Sequence, residues 1–352
     1  MTDSNTYIQH LHAFRGFAIL NVVGAHAWSF MIFWTGGLTA PGLDWLFWSA
    51  ETIFHGSTLY FAIISGILFT RILKGKSWKQ FFQSKFTNVL LPYIVTTLLL
   101  TAYYWQLAVQ NEAVNHTLTD YLTAASLNVL NGKADIHLWY IPVLLVMFTL
   151  TPLLAQLHTR SPAIVYLLAL TPLLVSRSPF PDFLMPQSFI YFIGAYVLGM
   201  LLGEHYDRTK SFVARHKLML ITITLVTSGA LFLLYVVNYQ PGSVYSLRQT
   251  LVYVQKLTIC LLVLYWLSER EAKLPHWLHT LGSYAFSIFF LHVIFIGLVI
   301  SAVQPLLEES RTLAFITLFG GANFLAAIIG SLLVAKVVKL IFGRHARKLI
   351  GA

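Results

Sequence analysis

The sequence predicts an all-α, polytopic integral membrane protein with about ten transmembrane helices and both termini cytoplasmic. Three observations predict it. Hydrophobic residues make up 57% of the 352 residues and charged residues only 10%, against about 25% charged in a soluble domain; the mean hydropathy is +0.71. The apolar residues are gathered into runs long enough to cross a bilayer. The basic residues are gathered into alternate gaps between those runs, which is the positive-inside bias.

The runs lie at about 11–33, 45–70, 87–107, 138–157, 161–176, 187–203, 217–238, 249–267, 281–304 and 312–341. A helix needs about 20 apolar residues to cross the hydrocarbon, so 161–176 is the short one. The first run could be mistaken for a secretory leader, since Ala25-His26-Ala27 has the form of a cleavage site. Its leading segment has no Lys or Arg besides Arg15 and the apolar run continues past that point, so it reads as a span. With a cytoplasmic N-terminus, the inside loops and C-terminal end hold 17 of the 23 Lys and Arg residues. The outside loops hold four, Lys133, Arg177, Arg248 and Arg311, and Arg15 and Lys256 lie at or within spans. The longest hydrophilic gap, 108–137, falls outside, and 118–130 within it has the pattern of a short amphipathic helix lying on the membrane. A single transmembrane domain over residues 1–352 is expected, with no appended soluble domain.

The net charge of +10 follows from this topology. It favours anionic lipid or an anionic cofactor on the cytoplasmic face. Nucleic acid is excluded as a partner, because the basic residues are dispersed over separate loops. The lone Cys260 lies in an apolar run, cannot form an internal disulfide, and is expected in the core. No metal site is expected.

Arg15 and His26 are the most informative pair. Eleven residues is about three helical turns, so the two side chains share a face about 16 Å apart. Arg15 can then sit near one membrane surface and His26 near the midplane, where ionisable groups usually mark a functional path. An imidazole there can move a proton or attack an acyl group. A neutral histidine bonded to a neighbouring helix, and an arginine snorkelling to the interface, are the plainer alternatives.

Glu51 and His55 are four apart and can meet on one face near the outer surface, as a hydroxyl-binding pair or as a plain hydrogen-bonded one. Ser65 and Gly66 reduce bulk, which suits close helix packing or a ligand. His137, Trp139 and Tyr140 open the fourth span, where an aromatic belt or an acceptor sugar would each explain them. Tyr284 and His292 lie in the ninth run, with His292 again near mid-membrane; it could pair with His26 or make a structural contact. The first inside loop, with Arg71 and Lys85 among its five basic residues, could hold donor phosphates.

Five segments together resemble the membrane acyltransferase 3 family, which includes bacterial O-acetyltransferases of surface polysaccharides. They are HLHAFRGFAILNVVGAHAW, GSTLYFAIISGILFTRIL, KFTNVLLPYIV, HLWYIPVLLVMFTLTPLL and LGSYAFSIFFLHVIF, in the family's order across nearly the whole chain. Two departures stand out: His12 where the family often has Asp, and Asn88 where it often has the second cation of an Arg-x-x-Arg. The resemblance implies acetyl-CoA or another acyl-CoA as donor at the cytoplasmic face, with no bound cofactor. It implies a hydroxyl of an extracytoplasmic or lipid-linked glycan as acceptor, and a bacterial cytoplasmic (inner) membrane as the location. It implies that Arg15 helps hold the donor and that His26 takes part in acyl transfer, as general base or as acyl carrier. A secondary transporter or flippase of an anionic solute or lipid-linked sugar is the alternative from another class; a non-catalytic scaffold would leave the Arg15–His26 spacing unexplained.

Overall fold

The computed structural model describes residues 8–110, 117–179, 181–240, 242, 244–309 and 311–351. Residues 111–116, part of the predicted outer loop, lie outside the described residues. Among those described, every regular element is helical. The first span is α1 (Gln9–Phe33). The second is α2 (Leu43–Phe54) with α3 (Thr58–Leu68), prolonged by a π-helical turn to Leu73. The third is α4 (Trp78–Lys85) with α5 (Leu91–Gln110), joined by a π-helical turn over Phe86–Leu90. Then follow α6 (Leu118–Asn131), α7 (Tyr140–Arg160), α8 (Pro162–Leu174), α9 (Pro186–Glu204), α10 (Tyr206–Arg215) and α11 (Lys217–Val236). The chain continues with α12 (Leu247–Glu269), α13 (His276–Ser283), α14 (Ala285–Glu309), α15 (Leu313–Phe342) and α16 (Ala346–Ile350).

Nine helical stretches among the described residues are long and apolar enough to cross a membrane, and α8 is a shorter apolar helix. All ten predicted runs are therefore helical, but the 161–176 run falls short of a span. Its 13 helical residues reach about 20 Å, two-thirds of the hydrocarbon thickness. The predicted amphipathic segment is α6, capped by Thr117 at its start and by left-handed Gly132 at its end.

α1 is the central helix. It packs against α2, α3, α12, α13, α14 and α15, which explains why it is apolar all round rather than on one stripe. Its first turn carries no side-chain cap of its own. Glu271 supplies one from afar: its Oε1 accepts the His10 backbone N–H at 3.1 Å, and its Oε2 lies 3.0 Å from His10 Nδ1. This fixes the entry of α1 and so the height of every residue along it. On the other side, α3 lies against α9 at backbone contact distance, because Gly66 faces the Tyr196 carbonyl and Gly199 the Ile63 carbonyl. Cys260 is buried in the core.

The second span is broken between α2 and α3. Gly56 takes a φ of +77° there, and a side chain at that position would collide with Val252. Ending α2 frees carbonyls that low-dielectric surroundings must satisfy. Two side chains of α12 do so. Gln255 Nε2 donates to the Thr52 carbonyl at 3.0 Å, and Lys256 Nζ donates to the Ile53 carbonyl at 2.6 Å. Lys256 is fully buried (0% exposed); the break in α2 is what its charge faces.

Candidate active site

His26 projects from α1 onto α14, where its Nδ1 lies 2.9 Å from His292 Nε2. His292 Nδ1 lies 3.0 Å from the Ile288 carbonyl and 2.9 Å from the Phe289 carbonyl. Carbonyl oxygens only accept, so His292 Nδ1 carries the proton and its Nε2 is the acceptor in the neutral ring. His26 Nδ1–H is then the donor, and His26 Nε2 holds the lone pair. His137, in the loop ahead of α7, stands edge-on to both rings, with centroids 4.9 Å from His292 and 6.4 Å from His26. His292 and His137 are buried (0% and 2% exposed), whereas His26 is partly accessible.

Asp135 extends this group outward. Its Oδ1 lies 3.4 Å from His137 Nδ1 and accepts the Ile136 N–H at 2.6 Å; its Oδ2 accepts from the Tyr104 hydroxyl at 3.2 Å. Burial pushes the Asp135 carboxyl up, but these donors and His137 outweigh it and hold the group below its ordinary value. Asp135 also lines a cavity of about 510 Å³ with Trp139 and Phe183. The rings of Trp139 and Phe183 stack at 4.7 Å. Tyr140 is buried inward of them, edge-on to Phe192 at 5.4 Å.

Glu51 and His55 do meet, at 2.7 Å from Oε2 to Nδ1. The other nitrogen of His55 is taken: Arg177 Nη2 lies 2.7 Å and Gln249 Nε2 3.3 Å from His55 Nε2. Both are donors, so His55 Nε2 accepts and its Nδ1–H donates to the carboxylate. Tyr235 and Ser29 hydroxyls reach Glu51 at 3.4 Å each. The Arg177 guanidinium lies 5.6 Å from the Trp139 ring centroid. With both nitrogens engaged, His55 serves to lock α2, α12 and the loop after α8 together rather than to take a substrate proton. Sequence reasoning missed Arg177, Gln249 and Tyr235. One signal was available: Arg177 and Arg248 are two of the four basic residues that run against the charge bias.

Three turns away along α1, Arg15 lines a cavity of about 300 Å³ together with His12, Ser65, Lys85, Asn88 and Arg347. Among the described residues its lining includes no Asp or Glu. The Arg15 guanidinium lies 5.6 Å from the Phe286 ring centroid, and Lys85 Nζ lies 4.2 Å from that of Phe148. Both departures from the sequence pattern, His12 and Asn88, are therefore in this wall. Arg71 is not: it is exposed, with its guanidinium 5.4 Å from the Tyr206 ring. Tyr284 also lies off the cavity, under Lys339 Nζ at 5.3 Å, while its neighbour Ser283 lines it.

A family model described as an acyltransferase domain matches residues 8–336. The chain belongs to the membrane acyltransferase 3 family. Comparison with curated proteins and with solved structures finds no match. The acyltransferase match takes in Arg15, Lys85, His26, Asp135, His137 and His292, so the cationic cavity and the imidazole group both fall inside it, Arg347 and Gly351 excepted. For a membrane acyltransferase the arrangement is chemically apt: cations at one level of α1, and a lone-pair nitrogen three turns away on the same helix.

Proposed function

We propose that this membrane acyltransferase moves an acyl group, acetyl in the simplest case, from cytoplasmic acyl-CoA to a hydroxyl of an extracytoplasmic or lipid-linked glycan, in a bacterial cytoplasmic membrane. The observation that carries the reading is the direction of the His26–His292 hydrogen bond. It leaves the lone pair on His26 Nε2, and His26 is the one residue of the three that is not fully buried.

In this reading the phosphates of coenzyme A are held by Arg15 and Lys85, which line one cavity. The acceptor hydroxyl attacks the thioester carbonyl while His26 Nε2 takes the hydroxyl proton. The C–S bond breaks, and coenzyme A leaves as a thiolate that recovers the proton from the imidazolium. His292 Nε2 continues to accept from His26 Nδ1–H throughout, which steadies the charged ring. If His26 instead carries the acyl group, the same Nε2 is the attacking atom. The cavity beside Trp139 and Asp135 suits a hydroxylated acceptor, with an aromatic body and acceptor oxygens.

The test is glycan acylation in a deletion strain complemented with His26→Ala or His26→Gln, with membrane expression checked. Loss of a general base costs about 10²–10⁴-fold, and glutamine cannot take the proton. Activity above about a tenth of wild type in either variant removes His26 from that role. Rapid quenching with labelled acyl-CoA separates the two routes, since only the carrier route leaves label on the protein.

A further inference from the structure

The third span is longer than a membrane needs. Its helical stretch, Trp78–Gln110, has 33 residues, which is about 50 Å of helix against about 30 Å of hydrocarbon. Run near the membrane normal, it leaves about 20 Å outside the hydrocarbon. The stretch also has a joint at which the surplus can turn aside. The π-helical turn Phe86–Leu90 is followed at once by Pro92, which has no N–H to give to the preceding turn. α4 is the piece beyond that joint.

Around its axis α4 divides into three sectors. One faces the protein: Phe81 is buried, edge-on to Phe69 and Phe148, and Ser84 and Lys85 line the Arg15 cavity. A second, with Lys79, Gln80 and Gln83, is polar and exposed. Between them, within an arc of about 80°, come Trp78, Phe82 and Phe86, spaced four residues apart. These three are 43%, 39% and 50% exposed. Leaving three large rings side by side in water forgoes the burial that an apolar phase gives. A helix with a protein side, an apolar side and a water side fits the surface of a bilayer. Lys79 borders the aromatic sector on its polar edge, where a lysine can carry its ammonium up to the headgroups.

We infer that α4 is an in-plane membrane helix, bedded through Trp78, Phe82 and Phe86 in the headgroup–acyl boundary of the leaflet that the basic-residue bias assigns to the cytoplasmic side. Its partner is the lipid surface itself. The inference does not depend on which molecule the Arg15 cavity holds.

Spin-label depth in vesicles tests it. Full-length protein in a Cys260→Ser background carries one of Trp78→Cys, Phe82→Cys, Phe86→Cys, Gln80→Cys or Gln83→Cys. Each is labelled and reconstituted in phosphatidylcholine with phosphatidylglycerol, and collision with oxygen and with an aqueous nickel chelate is read by power saturation. Labels in place of Trp78, Phe82 and Phe86 should meet oxygen and be shielded from nickel, at one common depth about 5–10 Å into the boundary. Labels in place of Gln80 and Gln83 should meet nickel. Equal nickel access at all five positions overturns the inference, because α4 then stands in water. A depth that steps by about 6 Å from each aromatic position to the next also overturns it, since that is a helix running straight on from α5. Spin–spin broadening at Phe82, with shielding from both reagents, would give the face to a second copy of the chain and overturn it as well. Native Trp78 supplies a reading free of cysteine variants that fold poorly. The fluorescence that wild type loses to phosphatidylcholine brominated high on its acyl chains should exceed the loss in Trp78→Phe, and equal losses overturn the inference.

Discussion

His292 Nε2 lies 2.9 Å from His26 Nδ1, and two backbone carbonyls on α14 set the direction of that bond by holding the proton on His292 Nδ1. His292 is therefore a positioning residue for His26. His292→Ala should lower kcat about 10- to 100-fold, as loss of an orienting partner typically does, with little change in KM for the donor. His292→Gln offers an amide oxygen in place of Nε2 and should recover part of the rate. Steady-state kinetics with both substrates varied will check this, and full activity of the alanine variant would show that His26 does not depend on the contact.

Lys256 ties α12 to the broken end of α2. Lys256→Met removes the donor to the Ile53 carbonyl and should destabilise the protein by about 1–3 kcal/mol, the penalty for an unpaired buried polar group. Thermal unfolding in detergent is the measurement. An unchanged midpoint would mean that water or another donor can replace the ammonium.

The asymmetry of basic residues, 17 against four, predicts that both termini and the Lys76 loop face the cytoplasm. In a Cys260→Ser background, impermeant thiol reagent added from outside should label cysteine at Asn115 or Lys133 and spare cysteine at Lys76. Labelling in the reverse pattern would invert the channel polarity assumed for the donor.

Glu271 is expected to contribute stability that depends on pH. Burial raises its carboxyl, but the hydrogen bonds and charge from His10 outweigh that and lower it from the ordinary 4.5. A carboxyl lowered on folding stabilises above its unfolded value and loses that contribution as pH falls through the folded one. The unfolding temperature of Glu271→Ala should therefore lie below wild type near neutrality, and the gap should close below pH 4.5. A gap that persists in acid would assign the effect to packing instead.

The family match, the helical class and the positions of the ten apolar helices could be read from the residues in order. Hydrocarbon selects composition over a window of about 20 residues, so each run announced itself without reference to any other. That Arg15 and His26 lie on one helix was legible for the same reason, since helical period is local. Other features depended on which distant segment lies alongside. The break at Gly56 was hidden in one continuous apolar run, and it is sustained by Gln255 and Lys256, about 200 residues away. His55 looked available until Arg177 and Gln249 came to its second nitrogen. His292 could have been a ligand partner or a structural contact, and only the packing of α14 on α1 turned it toward His26. The basic C-terminal end looked like topology alone until α16 folded Arg347 into the cavity of Arg15. Composition and period set which segments are helices; hydrogen-bond direction and the neutralisation of buried charge are properties of pairs, and tertiary packing chooses the pairs.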